Sequence, residues 1–428
     1  MIPNNNLKGS IPSELGYLSR LELISLKLND ISGTIPDSFS LLSRLDYLDV
    51  SYNNFSGSLP GFLGDLSSLK VLGLSHNGFD GSLPIEMSSL TNLLTVAVDN
   101  NILTGDLEPV AGMTKLEYFY GENNHFDSRL DKGILGNLQN LINLDLSGNS
   151  LKATLIPPGL FEMTGLKAVD LSNNKIKGSI PSDFKTNDVL EFLSLRLNQV
   201  SGKLHPNFGA KMRALTHLDL EDNQLTGSIA DHLFRNLTDV THLFLGKNAF
   251  DEWSIPDSMS QLTSLRELSL DECNLIGTFP SFFPSDTFMH LKVLDLRQNG
   301  LTGSLPNSDN ENWNELENLS VLLLNDNKLT GSLPESLTSL QNLEVVSLHH
   351  NGFLSDAGGL CRTDENSLNL LTTDCGDAFT CDCCENSCCD SEDCYSDIEW
   401  DSLEFSEARW EQHFHHASYS FNPHILSA

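Results

Sequence analysis

Apolar and polar positions alternate along this chain in a pattern that returns at a fixed interval. Leu69-Lys70-Val71-Leu72-Gly73-Leu74-Ser75-His76-Asn77-Gly78-Phe79-Asp80-Gly81-Ser82-Leu83-Pro84 reads L-x-x-L-x-L-x-x-N-x-F-x-G-x-L-P, and the same wording recurs about every 24 residues. Within each unit the L-x-L core, such as Leu48-Asp49-Val50 or Leu294-Asp295-Leu296, sends both aliphatic side chains to one face and the middle residue to the other. That is the period of a strand. One Asn per unit then marks a turn: Asn5, Asn29, Asn53, Asn77, Asn101, Asn124, Asn149, Asn174, Asn198, Asn223, Asn248, Asn299, Asn327 and Asn351, with Cys273 in the slot after Asn248. Fifteen units result, spaced 23 to 26 residues apart except for 28 between Asn299 and Asn327.

A single unit cannot fold alone. Its six or seven apolar side chains contribute roughly 1.5–3 kcal/mol each on burial, while ordering two dozen residues costs about 1–2 kcal/mol per residue. Stability therefore comes from stacking neighbours. The fold class expected is an α/β repeat: a leucine-rich-repeat solenoid with a parallel sheet on a concave face and short helices, 3-10 turns and loops on a convex face.

The second half of the unit, L-x-G-x-[IL]-P, is more specific. It occurs as Leu7-Lys8-Gly9-Ser10-Ile11-Pro12, Ile31-Ser32-Gly33-Thr34-Ile35-Pro36, Ile176-Lys177-Gly178-Ser179-Ile180-Pro181 and Leu329-Thr330-Gly331-Ser332-Leu333-Pro334. Over residues 2–354 the chain resembles the plant-type leucine-rich repeats of receptor-like proteins, receptor kinases and polygalacturonase inhibitors. The resemblance implies that the Asn side chains form a buried ladder. It also implies that the G-x-[IL]-P segments add a second short sheet and twist the solenoid into a curved superhelix.

Two regions follow: a repeat domain over 1–354 and an acidic, cysteine-rich cap or tail over 355–428. The repeats begin at once at Met1-Ile2-Pro3-Asn4-Asn5 with no paired-cysteine cap, so a cap and a signal or membrane anchor are expected upstream. No apolar run reaches the 18 residues of a membrane span. Four segments depart from the pattern, one of them the lengthened Ser281–His290. Leu151–Pro158 lacks G-x-[IL]-P and predicts a local bulge. Trp253 stands where a small residue is usual. Asn307–Asn314 is an insertion, read as a loop with some chance of touching a ligand.

The net charge is −33, which argues against nucleic acid and against docking on anionic lipid. Cys361, Cys375, Cys381, Cys383, Cys384, Cys388, Cys389 and Cys394 cluster in the tail, where 15 acidic residues face only Arg362 and Arg409 over 361–428. An even count with adjacent cysteines suits disulfides in an oxidising compartment better than zinc, with 105 connectivities open. The cluster resembles C-terminal cysteine clusters of diatom-type algal receptor-like proteins. Cys273 reads as a buried free thiol. Asn54, Asn236 and Asn318 head N-x-[ST] sequons at positions expected to be exposed.

The x positions of x-L-x-L-x line the expected binding face. Among them Tyr118, Tyr120, Glu122, His217, Asp219, Glu221, His242 and Phe244 are the candidate ligand-binding residues, since aromatic side chains favour interface hot spots. Tyr47, Asp49, Asp145, Asp170, Arg196, Arg266, Glu267, Asp271, Asp295, Arg297, His349 and His350 share that face. No G-x-S-x-G, H-E-x-x-H, P-loop or kinase signature is present. His413, His415 and His416 lie in the tail and read as surface histidines. No enzyme activity, cofactor or metal is therefore expected. The resemblance implies a recognition ectodomain at the cell surface or outside it, binding a protein, peptide or glycan, with a co-receptor possible and membrane contact only through an upstream segment. An intracellular scaffold with a zinc-binding tail, and an inhibitor of a secreted glycan-degrading enzyme, are the alternatives.

Overall fold

The computed structural model describes residues 3–130, 134–182, 187–307, 313–338, 340–353, 360 and 370–372. It divides into two compact units, Met1–Asp251 and Glu252–Ala428.

In the first unit each repeat contributes one short strand, from Leu23–Ser25 and Tyr47–Asp49 through Tyr118–Tyr120, Asn143–Asp145 and Ala168–Asp170 to His217–Asp219 and His242–Phe244. Neighbours pair in parallel and in chain order, without a crossover. Register is strict: Leu48 pairs with Leu72, Leu72 with Val96 and Phe119 with Leu144. All of these are fully buried, so the leucine column of the repeat is the core.

Each ladder Asn holds its rung to the next. Asn53 Nδ2 donates to the carbonyls of Leu26, Val50 and Ser51 at 3.0–3.1 Å, and its Oδ1 accepts the Ile31 N–H at 3.0 Å. Asn174 repeats this with Leu146, Leu171, Ser172 and Leu151. Donor and acceptor of one carboxamide thus satisfy backbone groups that the turn would otherwise leave buried and unpaired. The residue just before the ladder Asn is left-handed in every rung, whatever its type: Leu28 (φ 59°), Tyr52 (φ 56°), His76 (φ 52°) and Asp222 (φ 54°). A non-glycine there costs roughly 1–2 kcal/mol, offset by the rung hydrogen bonds that continue through it, such as Tyr52 N–H to Ser75 O at 2.8 Å.

The G-x-[IL]-P half builds smaller sheets, including Lys8–Gly9, Asp30–Gly33, Asn54–Ser58 and Gly78–Asp80. Its glycine lies at positive φ; at Gly178 (φ +100°) a β-carbon would sit 2.1 Å from the Thr154 carbonyl oxygen. The proline, with φ fixed near −65°, leads into a 3-10 turn, as at Pro36 before Asp37–Leu41 and Pro84 before Ile85–Ser89. Where Leu151–Pro158 breaks the motif, the second sheet is reduced to the isolated bridges Arg129–Lys152 and Leu155–Ser179.

The second unit repeats the design with Glu267–Ser269, Val293–Asp295, Val321–Leu323, Val345–Ser347 and Leu370–Thr372 in one parallel sheet. Cys273 is fully buried. Beside it the Trp253 indole N–H donates to the Cys273 carbonyl at 2.8 Å. Trp313, in the inserted segment, faces the core: it is fully buried, its ring lies tilted 5.6 Å from Phe279 and its indole N–H donates to Pro306 O at 3.0 Å; residues 308–312 of the insertion lie outside the described residues. No helix of the described residues is long and apolar enough to cross a membrane. The eight tail cysteines Cys361 to Cys394 and the tail histidines lie outside the described residues.

Candidate functional site

Three side chains per rung point away from the leucines, at six, four and two residues before the ladder Asn. The sequence reading treats them as exposed. The structure corrects this for most: Asp145, Asp170, His217, Asp219, Glu221, His242 and Phe244 are buried, as are Asp49, Glu267, Asp271, Asp295 and His349. The reason is the rung spacing. Parallel strands about 4.8 Å apart in strict register set each such side chain against its counterpart on the next rung, so the row covers itself.

Two groupings emerge in the first unit. The first surrounds Tyr118, Tyr120 and Glu122. The two tyrosine rings stack at 6.4 Å and are half-buried. Asp145 pairs in register with Asp170, and Asp170 with Ser194. Asp145 Oδ1 accepts from Ser147 N–H at 3.0 Å and Oγ at 2.8 Å; Asp170 Oδ1 accepts the Ser172 N–H at 2.8 Å. The outer oxygens are less well served: Asp170 Oδ2 and Glu122 Oε2 are buried with no hydrogen-bond partner.

Among the described residues no Lys, Arg or His forms an ion pair with Glu122, Asp145 or Asp170, and their carboxyl pKa values are raised. Burial, then repulsion from Asp145 and Asp99, pushes the Glu122 carboxyl well above the usual range. Burial and then Asp145 do the same to Asp170. Burial lifts Asp145 to about 6 against the hydrogen bonds from Ser147. The Tyr120 hydroxyl is raised by burial and by Tyr118. Asp99 belongs to the same group: it accepts from Ser75 Oγ and lies 3.6 Å from His76 Nε2.

The second grouping lies four rungs on, about 19 Å away at ~4.8 Å per rung. His217 and His242 stack at 3.9 Å, flanked by Phe192 at 5.6 Å and Phe244 at 6.3 Å. Thr216 Oγ1 and Thr241 Oγ1 hold the two Nδ1 atoms at 3.1 and 2.8 Å. Here the acid is neutralised: Glu221 lies 3.6 Å from both Arg196 and Lys247. Asp219 Oδ1 accepts the Glu221 N–H at 3.0 Å.

Sequence reasoning missed Asp99 and Lys247. Their signal was available as fixed offsets, two residues before Asn101 and one before Asn248, but it needs the register of neighbouring rungs to carry meaning. Of the sequon residues, Asn54 and Asn318 are exposed, whereas Asn236 is half-buried and its Nδ2 donates to His232 O at 2.6 Å.

The leucine-rich repeat family models match residues 213–275 in one case, and 44–66, 68–90, 140–163, 165–187, 290–310 and 318–340 in the other. The receptor-like kinase TMK2 of Arabidopsis thaliana is 26% identical over 196 residues, 45% of this chain and 22% of that protein. The chain spans about a fifth of the length of such plant relatives. Two solved structures from Arabidopsis thaliana are similar. The leucine-rich repeat ectodomain of the membrane receptor kinase GASSHO1/SCHENGEN3, in complex with CASPARIAN STRIP INTEGRITY FACTOR 2, superposes with a TM-score of 0.74 at 30% identity, covering 88% of this chain and 48% of that one. The ectodomain of the receptor kinase HAESA, with an N-terminally extended IDA peptide hormone ligand, gives 0.68 at 27% identity, covering 87% and 67%. Repeat wording, ladder and parallel rungs make this chain a leucine-rich repeat solenoid, similar to the ectodomains of plant receptor kinases.

Proposed function

We propose that the chain is a non-catalytic recognition module, the ligand-binding part of a receptor-like ectodomain, and that it takes a peptide or protein carrying a cationic group. The observation that carries this reading is the carboxylate group Glu122, Asp145 and Asp170, with two buried oxygens lacking any hydrogen-bond donor and no counter-cation among the described residues. A ligand ammonium or guanidinium placed there supplies both charge and donors. Tyr118 and Tyr120 offer flat aromatic area beside it, the residue type that most often anchors interfaces. The similar receptors with bound partners support a peptide or protein over a glycan, and they support a place at the cell surface, where a co-receptor could join.

A display library of short peptides, selected on the intact chain, tests this reading. Binders should be enriched in Arg or Lys, and Tyr120→Ala with Asp170→Asn should weaken them at least tenfold. Enriched peptides that lack basic residues and bind the double variant as well as the parent chain would overturn it.

A further inference from the structure

A different group lies in the second unit, outside the proposed recognition surface. Asp326 and His350 occupy the left-handed position just before the ladder residues Asn327 and Asn351, at φ 56° and 54°. Being equivalent positions of adjacent rungs, they stand side by side. His350 Nδ1 lies 2.6 Å from Asp326 Oδ1. His349, one residue earlier, turns its Nε2 to the other oxygen, 3.8 Å from Asp326 Oδ2. One ligand atom from each of the three residues falls within 4.8 Å of the others, and this is the single such trio of His, Cys, Asp or Glu among the described residues.

We propose that Asp326, His349 and His350 bind a divalent transition-metal ion of the zinc class. Two imidazole nitrogens and one carboxylate oxygen are a donor set for zinc, copper or nickel, not for calcium or magnesium, which prefer all-oxygen shells. Tetrahedral ligands about 2.0–2.1 Å from zinc lie roughly 3.3 Å apart, between the two separations seen here.

Two further observations point to a ligand. The His349 Nδ1 is engaged by Thr372 Oγ1 at 2.8 Å and Ser347 Oγ at 3.1 Å. Those hydroxyls fix the buried ring and leave Nε2 to face Asp326, the outer-shell arrangement that orients metal-binding histidines. Asn325 donates through Nδ2 to Asp326 Oδ2 at 2.7 Å, and its own Oδ1 is buried without a hydrogen-bond partner. That oxygen, beside the trio, is the acceptor a metal-bound water needs. Three protein ligands leave a coordination position for that water, on the side where His350 is exposed. At His76 a left-handed histidine meets Asp99 at 3.6 Å with no second imidazole, which makes it the matched control.

The test uses the full chain, stripped with a chelator and with accessible thiols alkylated so that tail cysteines do not compete. Zinc chloride is titrated by calorimetry, and cobalt(II) binding is followed by visible absorption. The parent chain and His76→Ala should take up one equivalent more than His350→Ala or Asp326→Asn. At this site the two variants should lose at least about 100-fold in affinity. Their metal-free melting temperatures should match the parent, because His350 is exposed and the Asn replacement keeps the shape of Asp326. Equal zinc stoichiometry and affinity in the parent, His350→Ala and Asp326→Asn would overturn the proposal and leave an Asp–His hydrogen bond alone.

Discussion

Asp145 and Asp170 in the first unit, and Asp271 and Asp295 in the second, all stand on strand residues facing away from the leucines, and all four are buried. Their surroundings differ. In the second unit Arg297 reaches both carboxylates, at 3.7 Å to Asp271 and 3.2 Å to Asp295. In the first, hydroxyls and backbone N–H groups hold the inner oxygens while the outer oxygen of Asp170 has nothing. The same rung geometry therefore supports two outcomes. A carboxylate with a built-in cation is part of the scaffold; one without a cation is where we propose that the ligand's charge sits.

The comparison breaks most visibly if the built-in cation is removed. Arg297→Ala takes the guanidinium away from the buried Asp271 and Asp295, and should destabilise the second unit by about 3–5 kcal/mol in urea denaturation. The opposite sign is expected in the first unit. Asp170→Asn removes a buried charge facing Asp145, and should stabilise that unit by about 1–3 kcal/mol at pH 7. Lys247→Ala removes one of two cations from Glu221, whose other partner Arg196 remains; a loss of about 1 kcal/mol is expected. Asp231→Ala, which breaks the exposed pair with Arg235 at 2.8 Å, should cost no more than about 0.5 kcal/mol. A loss at Asp231 as large as that at Arg297 would mean that burial is not what separates these pairs.

The scaffold was legible in the sequence because its signals are local. Leu48, Val50 and Asn53 each do within their own rung what the residue type suggests, and the glycine of G-x-[IL]-P sits at positive φ where only glycine is at ease. The face opposite was legible by position and not by environment. Whether Asp170 is exposed depends on Asp145 and Ser194, 25 and 24 residues away, and one rung cannot report on its neighbours. The left-handed residue before each ladder Asn carries only a partial composition signal: Asn100, Asn123, Asn173 and Gly148 are the types expected there, but Leu28, Tyr52, His76 and His350 serve as well. For that reason the pairing of Asp326 with His350 was invisible until the two rungs were laid side by side. Trp313 was not legible as core: it lies in an irregular insertion, and its burial depends on Phe279 more than 30 residues away.

The central claim is that the carboxylates around Glu122 and Asp170 are held without compensating charge. Their folded-state pKa values are raised, Asp145 to about 6, above an ordinary value near 3.9. Such groups favour the folded state fully below the ordinary value, and that contribution disappears as pH rises through the folded value. Melting temperature measured from pH 7 down to pH 5 should therefore rise for the parent chain and rise less for Asp170→Asn. A melting temperature that falls on acidification, or a slope identical in the two proteins, would contradict the account.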